Sequence, residues 1–209
     1  MMVMEGCKDR LGIMSYVMKL AYEKNLINLL GGNASIRCGE GFFITPSQVP
    51  KNSLSIEDFV FIRLGDNQVI SSSSRRPSIE WRMHKAVYVA RPEAYAILHT
   101  HNPYTIALYD AGLRVDVTKF VEAYSIGECV ETVPYKPAGS LELANSTAEA
   151  LRRCRVAVLL NHGVISACKD LYSCLDALEA LEDLSKITLV QHLLKLLSRA
   201  EPGSGRLPP

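Results

Sequence analysis

The sequence predicts a single α/β domain whose sheet is mainly antiparallel and flanked by helices. Three observations carry this reading. The chain has 209 residues, 48% of them hydrophobic, enough for one compact core and too few for a second large one. Short strand-like runs joined by tight turns follow one another in the first third, the pattern of an antiparallel meander. Further along, strands and helices mix without a regular βαβ repeat, and no internal repeat is present.

The elements follow in order. From about Asp9 to Leu30, the residues Leu11, Met14, Val17, Met18, Ala21 and Leu26 fall on one helical face, and Gly31-Gly32-Asn33 reads as the stop. Strands are expected over Ala34–Arg37 and Phe42–Thr45, joined by a turn containing Gly39 and Gly41. Asp58–Leu64 reads as a strand, turning at Asp66-Asn67 into Gln68–Ile70. Ser71–Pro77 is polar and irregular, and Ser78 is the expected N-cap of a helix over about Ile79–Ala90, which Pro92 terminates. Ala94–Thr100 reads as a buried strand and Pro103–Ala111 as a short helix, while Val115–Glu128 has no clear periodicity. Val130–Tyr135 is strand-like, Gly139-Ser140 caps a helix to about Arg153, and Val156–Leu160 and Val164–Ala167 are strands. A long helix is expected from about Leu171 to Leu197. The domain is assigned to residues 1–200, and the Pro/Gly-rich tail 201–209 is expected to be disordered.

Charge and composition narrow the function classes. The net charge is +1, from 23 basic and 22 acidic residues, and the basic runs Arg75-Arg76 and Arg152-Arg153 are too short for a polyanion track. No nucleic-acid partner is expected. Glu5, Lys8, Asp9 and Arg10 interrupt the N-terminus, and no apolar run approaches a membrane span, so a cytoplasmic protein without membrane contact is expected. The six cysteines, 7, 38, 129, 154, 168 and 174, form no CxxC pair and are expected to be reduced.

The histidines carry the chemistry. His99-Thr100-His101 ends an apolar strand, where positions i and i+2 share a face, so both imidazoles can converge on one ion. His162 sits with Asn161 and Gly163 as a polar trio inside an apolar run, either hydrogen-bonded structurally or a ligand. Three histidines with an open fourth position match a catalytic zinc pattern. Glu80, on the expected first turn of its helix, is open to two readings: a ligand or base facing the ion, or a carboxylate at a helix N-terminus. His84, four residues on, shares that face and reads as a buried helix histidine or a substitute ligand.

In order, Gly32-Asn33-Ala34-Ser35, Ile44-Thr45-Pro46-Ser47, Pro77-Ser78-Ile79-Glu80-Trp81-Arg82-Met83-His84, His99-Thr100-His101 and Asn161-His162-Gly163 resemble the class II aldolase/adducin family over about residues 10–195. The resemblance implies a three-layer α/β/α fold. It implies that His99, His101 and His162 bind zinc or another divalent metal. It makes Glu80 both a metal ligand and the catalytic acid/base, and it assigns Asn33, Ser47 and Ser78 to the substrate phosphate, with Gly32 and the Gln48 backbone close by. The implied reaction is metal-dependent cleavage of a ketose 1-phosphate, such as L-fuculose 1-phosphate, to dihydroxyacetone phosphate and an aldehyde such as lactaldehyde. The implied assembly is a homotetramer with its sites between subunits.

The chain departs from the family pattern at three places. Gln48 replaces a glycine, Ile79 replaces a phosphate-binding serine, and at the tyrosine contributed by a neighbouring subunit Phe120 falls near the position, with Tyr124 the nearest hydroxyl. The alternatives are an epimerase, dehydratase or decarboxylase of the same scaffold, a non-catalytic adducin-like module, and a structural zinc protein. Retention of all three histidines speaks against the module, and the Asn33, Ser47 and Ser78 set speaks against a closed zinc shell.

Overall fold

The computed structural model describes residues 6–70 and 74–200, without the side chain of residue 200; the expected tail at 201–209 lies outside the described residues. Eight strands form one sheet in the order β4-β3-β2-β1-β5-β8-β7-β6. They are β1 (Asn33–Cys38), β2 (Gly41–Ile44), β3 (Val60–Arg63), β4 (Val69–Ile70), β5 (Ala96–Thr100), β6 (Val130–Val133), β7 (Val156–Leu159) and β8 (Gly163–Cys168). Every pairing is antiparallel except β6 with β7.

Helices cover both faces. On one face lie α1 (Lys8–Glu23), α3 (Pro103–Asp110) and α5 (Leu171–Ala200); on the other lie α2 (Trp81–Ala90) and α4 (Leu141–Arg153). Alternation along β5 divides the two cores, with Ala96 and Leu98 facing α1, α3 and α5, and Ile97 facing α2 and α4. This is the expected three-layer α/β/α architecture.

Several element boundaries differ from the sequence reading. Helix α1 buries Leu11, Met14, Val17, Met18 and Ala21, as its periodicity requires, but it ends at Glu23. Asn25 adopts φ +58, its N–H donates to Tyr22 O, and Leu26 N donates to Ala21 O, closing a Schellman motif. Leu26 is buried because it follows that cap, and its helical spacing is incidental. The remaining seven residues to Leu30 are irregular.

Helix α2 likewise starts two residues later than expected. Pro46 and Pro77 form an isolated bridge, Ser47 N donates to Arg76 O, and Ser78 N donates to Thr45 O, which holds the chain extended through Ser78. Ser78 is therefore not the N-cap; Glu80 occupies that position, and the Ser78 hydroxyl accepts from Glu80 N at 3.3 Å in a tight turn. The segment from Val115 to Glu128 contains two short 3-10 turns, at 117–119 and 121–125.

The cysteine expectation is also corrected. Cys7 pairs with Cys38 and Cys129 with Cys154 as disulfides, while Cys168 and Cys174 are free and buried. The partners lie 31 and 25 residues apart in sequence and meet only through the fold, so spacing alone does not reveal them. Among the described residues, no helix is long and apolar enough to cross a membrane.

Candidate metal centre

The three sheet partners β1, β5 and β8 meet at one end. His99 on β5 lies opposite Asn33, the first residue of β1, and opposite Ile165 of β8. His101 is one residue beyond the strand, and its N–H donates to Leu26 O at 2.8 Å, which keeps the chain extended and both imidazoles on the α2 side. The turn between β7 and β8 supplies His162. Asn161 takes φ +55 there, and its N–H donates to Asp110 at the end of α3. Gly163 is required by crowding: a Cβ would stand 2.4 Å from Thr100 O and 2.8 Å from the His99 ring.

The imidazoles converge. Their ring centroids are 4.8 to 5.7 Å apart, and one ligand atom from each of His99, His101 and His162 lies within 4.8 Å of the others. His99 is fully buried, and its Nδ1–H donates to Val164 O at 2.9 Å. That bond fixes the tautomer and aims the Nε2 lone pair inward. This nitrogen sits 3.2 Å from His101 Nε2 and 3.3 Å from Glu80 Oε2.

Burial holds His99 well below the ordinary histidine pKa and His101 down to about 4, with nearby His162 pushing both further down. His99 and His101 are therefore neutral at neutral pH, and their lone pairs converge on one point. Lone pairs this close repel unless a cation or a proton lies among them. Glu80, 5% exposed, adds Oε1 at 3.3 Å from His162 Nε2, and among the described residues neither Glu80 Oε1 nor His162 Nδ1 has a hydrogen-bond partner. Three imidazoles and a carboxylate fit a borderline divalent cation.

The carboxylate is held from behind by a chain of buried groups. Asn33 Nδ2 donates to Glu80 Oε2 at 2.8 Å, and Asn33 Oδ1 accepts from His84 Nε2 at 2.6 Å. His84 Nδ1 then accepts from the Ser35 hydroxyl at 2.7 Å, which is 2.9 Å from the Tyr88 hydroxyl. His84 is thus hydrogen-bonded outside the cluster, and Asn33 braces Glu80. Burial raises the Glu80 pKa, while His162 and the Asn33 bond oppose the rise.

Asn33, Ser47, Ser78, Glu80, His101 and His162 line one cavity of about 220 Å³. The bridged segments at Pro46 and Pro77 place Ser47 beside Ser78. Gln48 in this loop has φ +57, a left-handed conformation that glycine adopts without cost. Ile79 is exposed and lines the same cavity.

Tyr124 stands apart from these groups. It is 78% exposed and borders a different cavity with Arg91, Ala94, Arg155 and Cys168. Ala94 and Cys168 mark the opposite end of β5 and β8 from the histidines, a strand length of roughly 20 Å away. The buried Lys51, which borders the histidine cavity, was not singled out by its sequence context because a lone lysine after proline carries no periodic signal.

An α/β/α scaffold with a histidine trio and glutamate at a strand-end cavity defines a class of metal-site proteins, and the comparisons place the chain within it. The chain belongs to the class II aldolase/adducin family, matching the Class II Aldolase and Adducin N-terminal domain over residues 13–189. It is 30% identical over 155 residues to a 5-methylthioribulose-1-phosphate/5-deoxyribulose-1-phosphate aldolase of Rhodospirillum rubrum, covering 74% of this chain and 69% of that protein. It is 32% identical over 135 residues to the L-fuculose phosphate aldolase of Escherichia coli, covering 65% and 61%. A solved L-fuculose 1-phosphate aldolase superposes with a TM-score of 0.82 at 26% identity, covering 96% of this chain and 91% of the other. These relatives are named as aldolases, a class of lyase, and the chain has their fold.

Proposed function

We propose that the protein is a zinc-dependent class II aldolase that cleaves a ketose 1-phosphate, such as L-fuculose 1-phosphate, into dihydroxyacetone phosphate and an aldehyde such as lactaldehyde. The observation that carries this reading is the convergence of three imidazoles and the Glu80 carboxylate beside a cavity lined by Asn33, Ser47 and Ser78. His99, His101 and His162 would hold the metal, with Glu80 as the displaceable fourth ligand. A divalent cation bound there supplies Lewis acidity to substrate oxygens, which stabilises the charge left by carbon–carbon cleavage.

The chain's own groups do the rest. Ser47 and Ser78 hydroxyls hold the phosphate with neighbouring backbone amides, and Asn33 both reaches the cavity and holds Glu80 in place. Breaking the bond between C3 and C4 leaves an enediolate. Glu80, whose raised pKa suits it to carry a proton, delivers that proton to the carbon next to the carbonyl, and in the condensing direction removes it. The proton of the C4 hydroxyl goes to a second base, for which Tyr124 of a neighbouring copy is the candidate in a cytoplasmic homotetramer with sites between subunits.

Metal analysis of the purified protein, combined with release of dihydroxyacetone phosphate from a panel of 5-deoxypentulose and 6-deoxyhexulose 1-phosphates, tests the reading. Stoichiometric divalent metal and loss of about 100-fold or more in kcat for Glu80→Gln are expected. A metal-free protein, or turnover unchanged in Glu80→Gln, would sink it.

A further inference from the structure

The cavity beside the histidines holds one buried cation. Lys51 follows Pro50 in the loop after β2 and opens a short 3-10 turn at 51–53. It is only 2% exposed. Its ammonium donates to Pro46 O at 3.1 Å and Val49 O at 2.8 Å, spanning the loop that carries Ser47 and Gln48. Its backbone N–H donates to Leu29 O at 2.8 Å, which ties that loop to the segment leading into Asn33.

Bracing a loop does not require a charge. Two carbonyls are satisfied as well by neutral donors, whereas an ammonium taken from water is costly unless an anion accompanies it. Among the described residues, no carboxylate pairs with Lys51. Burial lowers its pKa to about 8, which leaves it mainly protonated at neutral pH. Among the described residues, it is the only lysine or arginine that lines the cavity. An ammonium has three N–H donors; the carbonyls take two, and one remains for an anion oxygen. Ile79, at a position where the resemblance implies a hydroxyl, leaves the cavity poorer in neutral donors and makes the charge count for more.

We propose that Lys51 is a specificity-determining residue of this site: its ammonium braces the Pro46–Val49 loop and supplies a fixed positive charge at the wall that receives a phosphate. The assignment of a phosphorylated substrate rests on the aldolase reading above.

The test compares metal-loaded wild type, Lys51→Met and Lys51→Arg on a ketose 1-phosphate and on the same ketose without phosphate, together with calorimetric binding of inorganic phosphate. In Lys51→Met, kcat/KM for the phosphorylated ketose falls about 10- to 100-fold, mainly through KM, and inorganic phosphate binds more weakly by a similar factor. The unphosphorylated ketose changes by less than about threefold, and Lys51→Arg keeps most of the discrimination, because charge rather than loop shape is what the phosphate reads.

A structural role alone would lower the rates on both substrates together, and that result overturns the proposal. So does an unchanged phosphate affinity in a folded, metal-loaded Lys51→Met protein. Should Lys51→Met not fold, Lys51→Arg decides: phosphate affinity lost despite the retained charge overturns the proposal, and affinity within about threefold of wild type supports it. If wild type cleaves no ketose 1-phosphate yet loses phosphate binding in Lys51→Met, the aldolase reading fails and the Lys51 anion site stands.

Discussion

The side-chain chain from Tyr88 through Ser35, His84 and Asn33 to Glu80 shows how one residue's protonation state is set by a partner two bonds removed. Because Asn33 presents its amide N–H to the carboxylate, its carbonyl faces His84, which must carry its proton on Nε2. Burial lowers His84 to about 3 from 6.5. The unfolded chain therefore binds a proton below about pH 6.5 that the folded chain refuses, so stability is complete above that pH and falls as the pH drops. The expected slope from this residue is about 1.4 kcal/mol per pH unit. Urea denaturation of wild type and His84→Gln between about pH 4.5 and 6.5 checks this, with the variant showing the shallower acid-side slope; coincident slopes refute it. The histidine trio was partly legible in the sequence, since i and i+2 on a strand share a face whatever the fold. The bracing of Glu80 was not, because Asn33 and His84 meet across 51 residues through the pairing of β1 with β5 and the packing of α2.

At the level of elements, most strands and helices were readable because their apolar period is local, and the boundary errors fall where a cap or a bridge sets the end, as the Schellman motif at Asn25 does for α1. Helix α2 begins at Trp81 because the Pro46–Pro77 bridge keeps Ser78 extended. Helix α3 begins at Pro103, as the sequence reading has it, but what caps it was not legible. Its N-terminus has no local side-chain cap, and Pro103 occupies its first turn. The missing acceptor comes from α5: the buried Glu182 carboxylate accepts from Tyr104 N and Thr105 N, both at 3.0 Å, and from the Thr105 hydroxyl at 2.9 Å. This carboxylate sits at the positive end of the helix dipole. Glu182→Ala removes three charge-assisted bonds and leaves buried donors unpaired, for an expected loss of about 2–4 kcal/mol in equilibrium unfolding. Glu182→Gln should lose less. Equal losses would mean that shape rather than charge does the capping.

For the whole molecule, the two disulfides tie the outer elements to the sheet. Cys7–Cys38 joins the residue before α1 to the end of β1, and Cys129–Cys154 joins the approach to β6 with the residue after α4. With partners 31 and 25 residues apart, each restricts the unfolded chain by about 3.5 kcal/mol on a loop-entropy estimate. Treatment with a strong reductant should therefore lower the melting temperature by many degrees, and an unchanged melting curve after verified reduction would count against this contribution. The opposed positions of Tyr124 and the histidine trio have a different consequence. On the proposed reading, in which Tyr124 of a neighbouring copy is the second base, a working site draws its two proton-transfer groups from two copies, and defects in the two groups need not reside in the same chain. Glu80→Gln and Tyr124→Phe proteins, each inactive alone, should regain measurable turnover when unfolded together, refolded and allowed to exchange, because some mixed assemblies pair an intact Glu80 with an intact Tyr124. Mixtures that stay as inactive as their parents would show that Tyr124 is not the missing base.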